Sequence, residues 1–329
     1  PATLFPNAFT LGWPQWRSDG SGFTFEYNER GHQRYRVIEA DGRSAQARTL
    51  IEETSPTFIE YSALSGDGGK YYRHDFADGV RTLWASERDG WEHLYLYDTR
   101  GGAAPRQVTR GEWVVRKVDR VDEAAQQVYF TASGMLPGED PYYRHAYRIG
   151  LDGRGLTALT PAPADHQVVY SPDGRWLLDL YSRVDLGPVL ELRRSDDGAL
   201  VRQVARTDLS RLLAAGWVPP LPFHAPGRDG KTEIWGVIHR PQGLDPHRSY
   251  RVVENIYAGP HGAFVPKRFS ARVPALTALG FAVAQIDGMG TNNRSRAFHD
   301  VAWRNLKDAG FPDRIAWHRA AAAQYPWYA

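Results

Sequence analysis

The chain has 329 residues, with 40 Lys and Arg against 38 Asp and Glu for a formal charge of +2, and no cysteine. The basic residues are spread along the chain, which excludes an electrostatic footprint for nucleic acid, and the missing thiols exclude a disulfide framework, a thiol nucleophile and a cysteine-ligated zinc. No apolar run approaches the roughly 20 residues of a membrane helix. The start, Pro1-Ala2-Thr3-Leu4-Phe5, has neither an initiator Met nor the basic-then-apolar profile of a signal peptide, so the parent N-terminus is expected further upstream.

With 11 Trp and 17 Tyr, and long helical stripes scarce before the C-terminal end, most of the chain reads as sheet. From Trp16 to about Val204, short alternating runs separated by turn residues recur every 45 to 60 residues or so. The first unit holds Trp16-Arg17-Ser18-Asp19-Gly20, Phe23 to Tyr27, Tyr35 to Ile38 and a turn at Asp41-Gly42. The second runs from Arg81-Thr82-Leu83-Trp84 through Leu94 to Tyr97 into Gln107-Val108-Thr109. Gln127 to Phe130 with Ala146 to Ile149 carry the third. The fourth combines Tyr170 to Leu178, Leu190 to Leu192 and Asp197-Gly198; its Ser171-Pro172-Asp173-Gly174 segment predicts a hairpin turn. Repetition at this period predicts about four blades of a β-propeller, with the front of a larger ring expected to be absent.

Near Gly216 to Pro222 the chain turns proline-rich, and the pattern changes from hairpins to strands alternating with helix. The expected division is therefore a partial propeller over 1–218 and the start of an α/β domain over 219–329. Glu233 to Ile238, Val252 to Tyr257 and Phe281 to Ile286 read as strands, Pro274 to Leu279 as a short helix, and Arg314 to Gln324 as a crossover helix. A crossover helix returns the chain to a further parallel strand, and none is read in Tyr325 to Ala329.

Several separated motifs then resemble one family. Glu254-Asn255-Ile256-Tyr257-Ala258-Gly259-Pro260 is similar to a strand end of the dipeptidyl peptidase IV branch of the prolyl oligopeptidase-type serine peptidases. Gln285-Ile286-Asp287-Gly288-Met289-Gly290-Thr291 resembles that branch's next strand and Asp-Gly-x-Gly turn. Ser86 to Asp98 is similar to one of its blades, and Asp229 to Thr232 with Ile234-Trp235-Gly236 resembles the entry to its α/β-hydrolase domain. The resemblance implies a Ser-Asp-His hydrolase beneath a propeller, cutting short peptides after proline or a small residue, with no cofactor. It also implies relatives that are often exported and dimeric, which leaves periplasmic, secreted and cytoplasmic settings open here.

Tyr257 matches the family tyrosine whose hydroxyl donates to the oxyanion, although a tyrosine at a strand end is ordinarily a packing residue. No serine lies in a G-x-S-x-G elbow; Ser65, Ser133 and Ser171 sit in turn-like segments. Because that fold orders Ser before Asp and His, the whole triad is expected beyond Ala329, and His261, His299 and His318 are read as surface or packing residues. Glu52-Glu53 reads as a solvated turn pair, so the glutamates that grip a substrate amino terminus in this branch are expected upstream of Pro1. Asp287 reads as a cap on backbone groups, and Asn292 to Arg296 as a solvated loop.

The function so implied is a serine peptidase in full-length form, with this chain inactive by itself. The alternative is a non-catalytic propeller that binds peptide or protein. Serine-reactive probes are expected to leave the 329-residue chain unlabelled, which in-gel detection of the probe checks.

Overall fold

The computed structural model describes residues 3–17, 19–101, 104–308 and 310–329; Pro1 and Ala2 of the opening run, and Ser18 of the first predicted turn, lie outside the described residues. Four antiparallel sheets follow one another along the chain. The first contains β1 (Ala8–Leu11), β2 (Gln15–Trp16), β3 (Gly22–Glu29), β4 (Arg34–Asp41) and β5 (Ala47–Thr54). The second contains β6 (Arg73–Asp75), β7 (Arg81–Ser86), β8 (His93–Asp98) and β9 (Arg106–Gln107). The third runs through β10 (Val114–Asp122), β11 (Gln127–Ser133), β12 (Arg144–Gly150) and β13 (Thr157–Ala158), and the fourth through β14 (Asp165–Tyr170), β15 (Trp176–Arg183), β16 (Leu186–Arg194) and β17 (Leu200–Arg206). The second, third and fourth sheets are meanders in which sequential strands are hydrogen-bonded neighbours, the construction of a propeller blade, and the first differs only in that β1 and β2 both pair with β3.

A sheet of this kind buries its faces only against a neighbour. Leu83 and Leu94 of the second blade and Val115, Val128 and Phe130 of the third share one apolar cluster with Trp113, which stacks on Phe130 at 6.0 Å. The Ser171–Gly174 turn forms as expected: Gly174 donates to the Ser171 carbonyl at 2.8 Å, and the Asp173 carboxylate accepts from the Ser171 hydroxyl at 2.6 Å. On the fourth blade, strict alternation buries Leu177 and Asp179 and leaves Leu178 and Leu180 each 41% exposed beside Val169 at 66%. That blade thus presents an apolar face to solvent in this chain.

Helix α1 (Ser210–Ala214) leads into a fifth sheet made of β18 (Leu221–Pro226), β19 (Glu233–His239), β20 (Val252–Glu254) and β21 (Ala282–Asp287). Its order is β18-β19-β21-β20, with β20 and β21 parallel and the other pairings antiparallel. The predicted strand from Val252 to Tyr257 therefore ends at Glu254, and the remainder is loop. The short helix before β21 is a 3₁₀ turn at Ala275–Leu279, closed by Gly280 in the left-handed region. Helix α2 spans Arg296–Asp300, capped by the Ser295 hydroxyl, and α3 spans Phe311–Gln324, starting three residues before the predicted boundary. Pro312 in the first turn of α3 suits a helix start, because the amide it lacks has no intrahelical partner there. Trp317 of α3 is fully buried on Ile234, Ile238 and Ile286 and meets Phe223 edge-on at 4.9 Å.

The residues after α3 correct the sequence reading. Tyr250 donates to the Trp327 carbonyl at 2.9 Å and Val252 to that of Ala329 at 3.0 Å, while Tyr250 and Tyr328 form a parallel bridge. The chain thus returns from α3 to pair in parallel beside β20, as the crossover rule requires.

Propeller and fifth sheet meet along a polar seam. Asp165, 1% exposed at the start of β14, accepts from Arg144 at 2.8 and 2.7 Å and from Arg268 at 2.5 Å, and Lys267 reaches Asp140 at 2.9 Å. Between the first and second blades, residues 55–72 lie against α2: Thr57 donates to Asp300 at 2.8 Å and Phe58 packs edge-on to His299 at 4.9 Å. His299 is 1% exposed, its Nδ1 3.0 Å from Lys70 Nζ and its Nε2 2.7 Å from the Pro260 carbonyl. Burial, followed by the Lys70 charge, lowers its pKa to about 3, so the neutral ring donates to Pro260 through Nε2 and accepts from the ammonium through Nδ1. The segment 292–296 is likewise no solvated loop: Asn292 is fully buried with its amide donating to the Gly68 carbonyl, and Arg294 lies over the Phe298 ring.

Two expectations follow. Asp165→Asn removes one partner from a buried charge cluster and is expected to cost about 3 kcal/mol in urea unfolding, whereas Arg175→Ala at the exposed Arg175–Asp173 pair is expected to leave the urea midpoint unchanged. His299 is depressed in the folded state, so between its ordinary value and about 3 the unfolded chain binds the extra proton and stability falls as the pH is lowered. Its contribution is about 2 kcal/mol lost on going from pH 7 to pH 5, and His299→Gln is expected to flatten that part of a stability-against-pH curve.

Candidate functional site

Ligands of open α/β sheets bind beyond the carboxyl ends of the parallel strands. In this chain that position is the loop after β20, which carries Tyr257, and the turn after β21, which carries Asp287 to Thr291. Three anchors shape the Tyr257 loop. Arg314, 1% exposed on the first turns of α3, donates to the Tyr257 carbonyl at 2.9 Å and pairs with Glu254 at the end of β20. The other Glu254 oxygen lies 3.2 Å from His318 Nε2, and His318 Nδ1 lies 2.7 Å from the Tyr328 hydroxyl. His299 holds the Pro260 carbonyl from the far side.

The Tyr257 ring folds back along its own loop toward Phe264, with 5.8 Å between centroids. A Cβ on residue 259 would sit 2.7 Å from the Tyr257 hydroxyl oxygen, so the glycine there leaves room for the Tyr257 ring in this position. The hydroxyl makes no hydrogen bond among the described residues, which leaves a phenolic donor held in place by its own loop at the end of a parallel strand.

The turn after β21 is held by two buried carboxylates. Asp287, 0% exposed, accepts from the backbone amides of Phe264 at 2.8 Å and Val265 at 3.0 Å. Burial raises its pKa against the pull of Lys267 and of those amides. Its role is to hold residues 264–265, and through them the bend behind Tyr257. Asp313 accepts from the Met289 amide at 2.9 Å and from the Arg228 amide and guanidinium, tying the β18–β19 turn, the β21 turn and α3 into one unit. Gly288 fits between because a Cβ there would be 3.0 Å from Gly310.

The other weighed residues divide plainly. His261 is exposed, with Glu60 3.8 Å away, and is not brought to Tyr257 by any contact among the described residues. His299 and His318 are bound in the packing networks above. Ser133 is buried in β11 and donated to by Arg116 at 3.2 Å, and the Ser171 hydroxyl closes its turn on Asp173. Glu52 and Glu53 are no turn pair: both lie in β5, where Glu52 pairs with Arg36 at 2.8 Å. Glu53 is largely buried and accepts from the Trp84 indole at 3.0 Å, the Ser86 hydroxyl at 2.9 Å and the Arg88 guanidinium. Sequence reasoning missed Glu254, Arg314 and Asp313 as the supports of the loop; an acid before the Tyr motif and an Arg at a helix start carry no periodic signal. Among the described residues no group of three metal-ligating side chains converges, and no helix is long and apolar enough to cross a membrane.

Comparison with known proteins places these features. Residues 1–188 match the family described as the dipeptidyl peptidase IV (DPP IV) N-terminal region, and residues 267–329 match the prolyl oligopeptidase family. A protein of Emericella nidulans named "Probable dipeptidyl-aminopeptidase B" is 31% identical over 239 residues, which is 69% of this chain and 25% of that protein. The solved structure of a "putative dipeptidyl aminopeptidase IV" from Bacteroides ovatus superposes with a TM-score of 0.78 at 19% identity, covering 97% of this chain and 46% of its own. Porphyromonas gingivalis dipeptidyl peptidase 4 gives 0.73 at 23% identity, covering 94% and 42%. The chain spans about a quarter of the curated relative and under half of either solved chain, and both structures share its fold. With a family match over more than half its length, this chain belongs to the dipeptidyl peptidase IV branch of the prolyl oligopeptidase family.

Proposed function

We propose that this chain is part of a serine-type peptidase that releases dipeptides from the amino end of short peptides after proline or a small residue. In this proposal residues 1–218 form propeller blades and residues 219–329 the opening of the hydrolase domain. The nucleophilic serine and its Asp and His partners come from outside these 329 residues, since no G-x-S-x-G is present. The observation that carries the reading is the Tyr257 hydroxyl, free of partners among the described residues, on a loop that Arg314 holds beyond the end of a parallel strand.

In acyl transfer the serine adds to the scissile carbonyl, whose oxygen takes on the negative charge. A donor already oriented toward that oxygen lowers the barrier because it needs no reorganisation as charge develops. Tyr257 is assigned this donation. Arg314 and Glu254 act on it only through the loop backbone. Substrate is a peptide; homodimer assembly belongs to the same proposal.

The alternative of a free-standing, non-catalytic propeller is weakened by the exposed apolar face of Val169, Leu178 and Leu180 on the fourth blade, which a self-sufficient module would cover. In the longer protein encoded by the parent gene, Tyr257→Phe is expected to lower kcat on a chromogenic dipeptidyl-proline substrate by about 10²- to 10³-fold with KM little changed. An unchanged kcat would remove Tyr257 from the mechanism, and a full-length protein with no hydrolysis and no probe-reactive serine would overturn the peptidase reading.

A further inference from the structure

A cavity of about 40 Å³ lies where the first and second blades face residues 58–61 and α2. By that measure a water occupies roughly 10 to 15 Å³, so the space holds about three non-hydrogen groups. Its walls include the side chains of Tyr35, Tyr61, Tyr71 and Trp84, with Tyr35 and Tyr71 centred 6.1 and 5.5 Å from Trp84. Glu92 also lines it. That residue is 2% exposed, and neither of its carboxylate oxygens has a hydrogen-bond partner among the described residues.

The neighbouring charges do not complete Glu92. Lys70 is engaged by Glu87 and by His299, and Arg296 by Ser55 and Asp300. Of the other acids on the wall, Glu53 is bound by Arg88, and Glu60 accepts from the Ser62 amide at 2.8 Å. One carboxylate is thus left over in a site walled by aromatic faces. A buried carboxylate without partners is costly, and bound water, a proton or a cation relieves it. Aromatic faces favour the cation, since their negative quadrupoles attract it, and the small volume favours a head that donates hydrogen bonds in several directions.

We propose that this cavity binds the head of a primary alkylammonium, with Glu92 accepting its N–H bonds and the alkyl chain leaving past Tyr61, the most exposed aromatic residue of the rim at 36%. The ligand class is an amine on a flexible chain, whether a peptide amino terminus, a lysine side chain or a small free amine. The inference concerns binding by this chain alone and does not depend on hydrolysis. Desolvation, with Glu87 nearby, raises the Glu92 pKa above its ordinary value against the opposing pull of Lys70.

The test is saturation-transfer NMR on the 329-residue chain at pH 8.5 with n-butylammonium chloride and with its neutral counterpart n-butanol. Expected are saturable transfer from butylammonium, none from butanol, and at least tenfold weaker binding by Glu92→Gln, whose melting temperature is not lowered because the Glu92 carboxyl makes no protein hydrogen bond for the amide to lose. Equal transfer from butanol, no saturation by butylammonium, or undiminished binding by Glu92→Gln would each overturn the proposal; the butanol comparison needs no variant. Alanyl-alaninamide and Nα-acetyl-lysine methylamide then separate the sources, since the first offers only an α-ammonium and the second only a side-chain one.

Discussion

The contact on which the arrangement of the two parts rests is Asp165 with its two arginines. Arg144 belongs to the third blade and Arg268 to the stretch between β20 and β21, so one buried carboxylate fixes propeller and hydrolase sheet in a single geometry. Such a cluster is a poor source of net stability, because the charges give up their hydration to form it. Its value is directional: a shift of the seam would leave a carboxylate buried without its cations. The apolar clusters on either side, one between blades and one under Trp317, supply the burial that stabilises each part.

Around that seam the Tyr257 loop is assembled by backbone contacts more than by side-chain packing. Arg314 takes the carbonyl of residue 257, His299 that of residue 260, and Asp287 the amides of residues 264 and 265. All three side chains are buried, so each bond forms where the surrounding dielectric strengthens it and where an unmade bond is costly. A loop held in this way keeps a phenol in position without enclosing it. The propeller takes part directly, since Lys70 from the segment between blades holds His299 against Pro260.

The blades were legible because their information is local. Alternation along β15 and the Ser-Pro-Asp-Gly turn before it depend on residues within a few positions of one another, and the same holds for the repeats at β7 and β11. Errors fell where the deciding partner is distant in sequence. Asn292 to Arg296 looks like a solvated loop until residues 55–72, more than two hundred positions earlier, are laid over it. Glu53 looks like half of an acidic turn until Trp84, Ser86 and Arg88 of the next blade close on it.

The sequence by itself determined the succession of hairpins, the later change to strand and helix, the short motif that carries Tyr257, and the absence of a serine elbow. Each of these is written in period, turn chemistry or a short ordered motif. Tertiary structure alone decided which charges are buried and with whom: Asp165 between two arginines, Glu254 and Arg314 beneath Tyr257, His299 kept neutral beside Lys70, and Glu92 with no hydrogen-bond partner among the described residues. Burial and pairing depend on contacts between residues 21 to 229 positions apart, and one strand pairing, that of residues 327–329 with β20, turns on the path of α3. Composition and spacing describe what a segment can do, and only the packed chain sets which neighbour it meets.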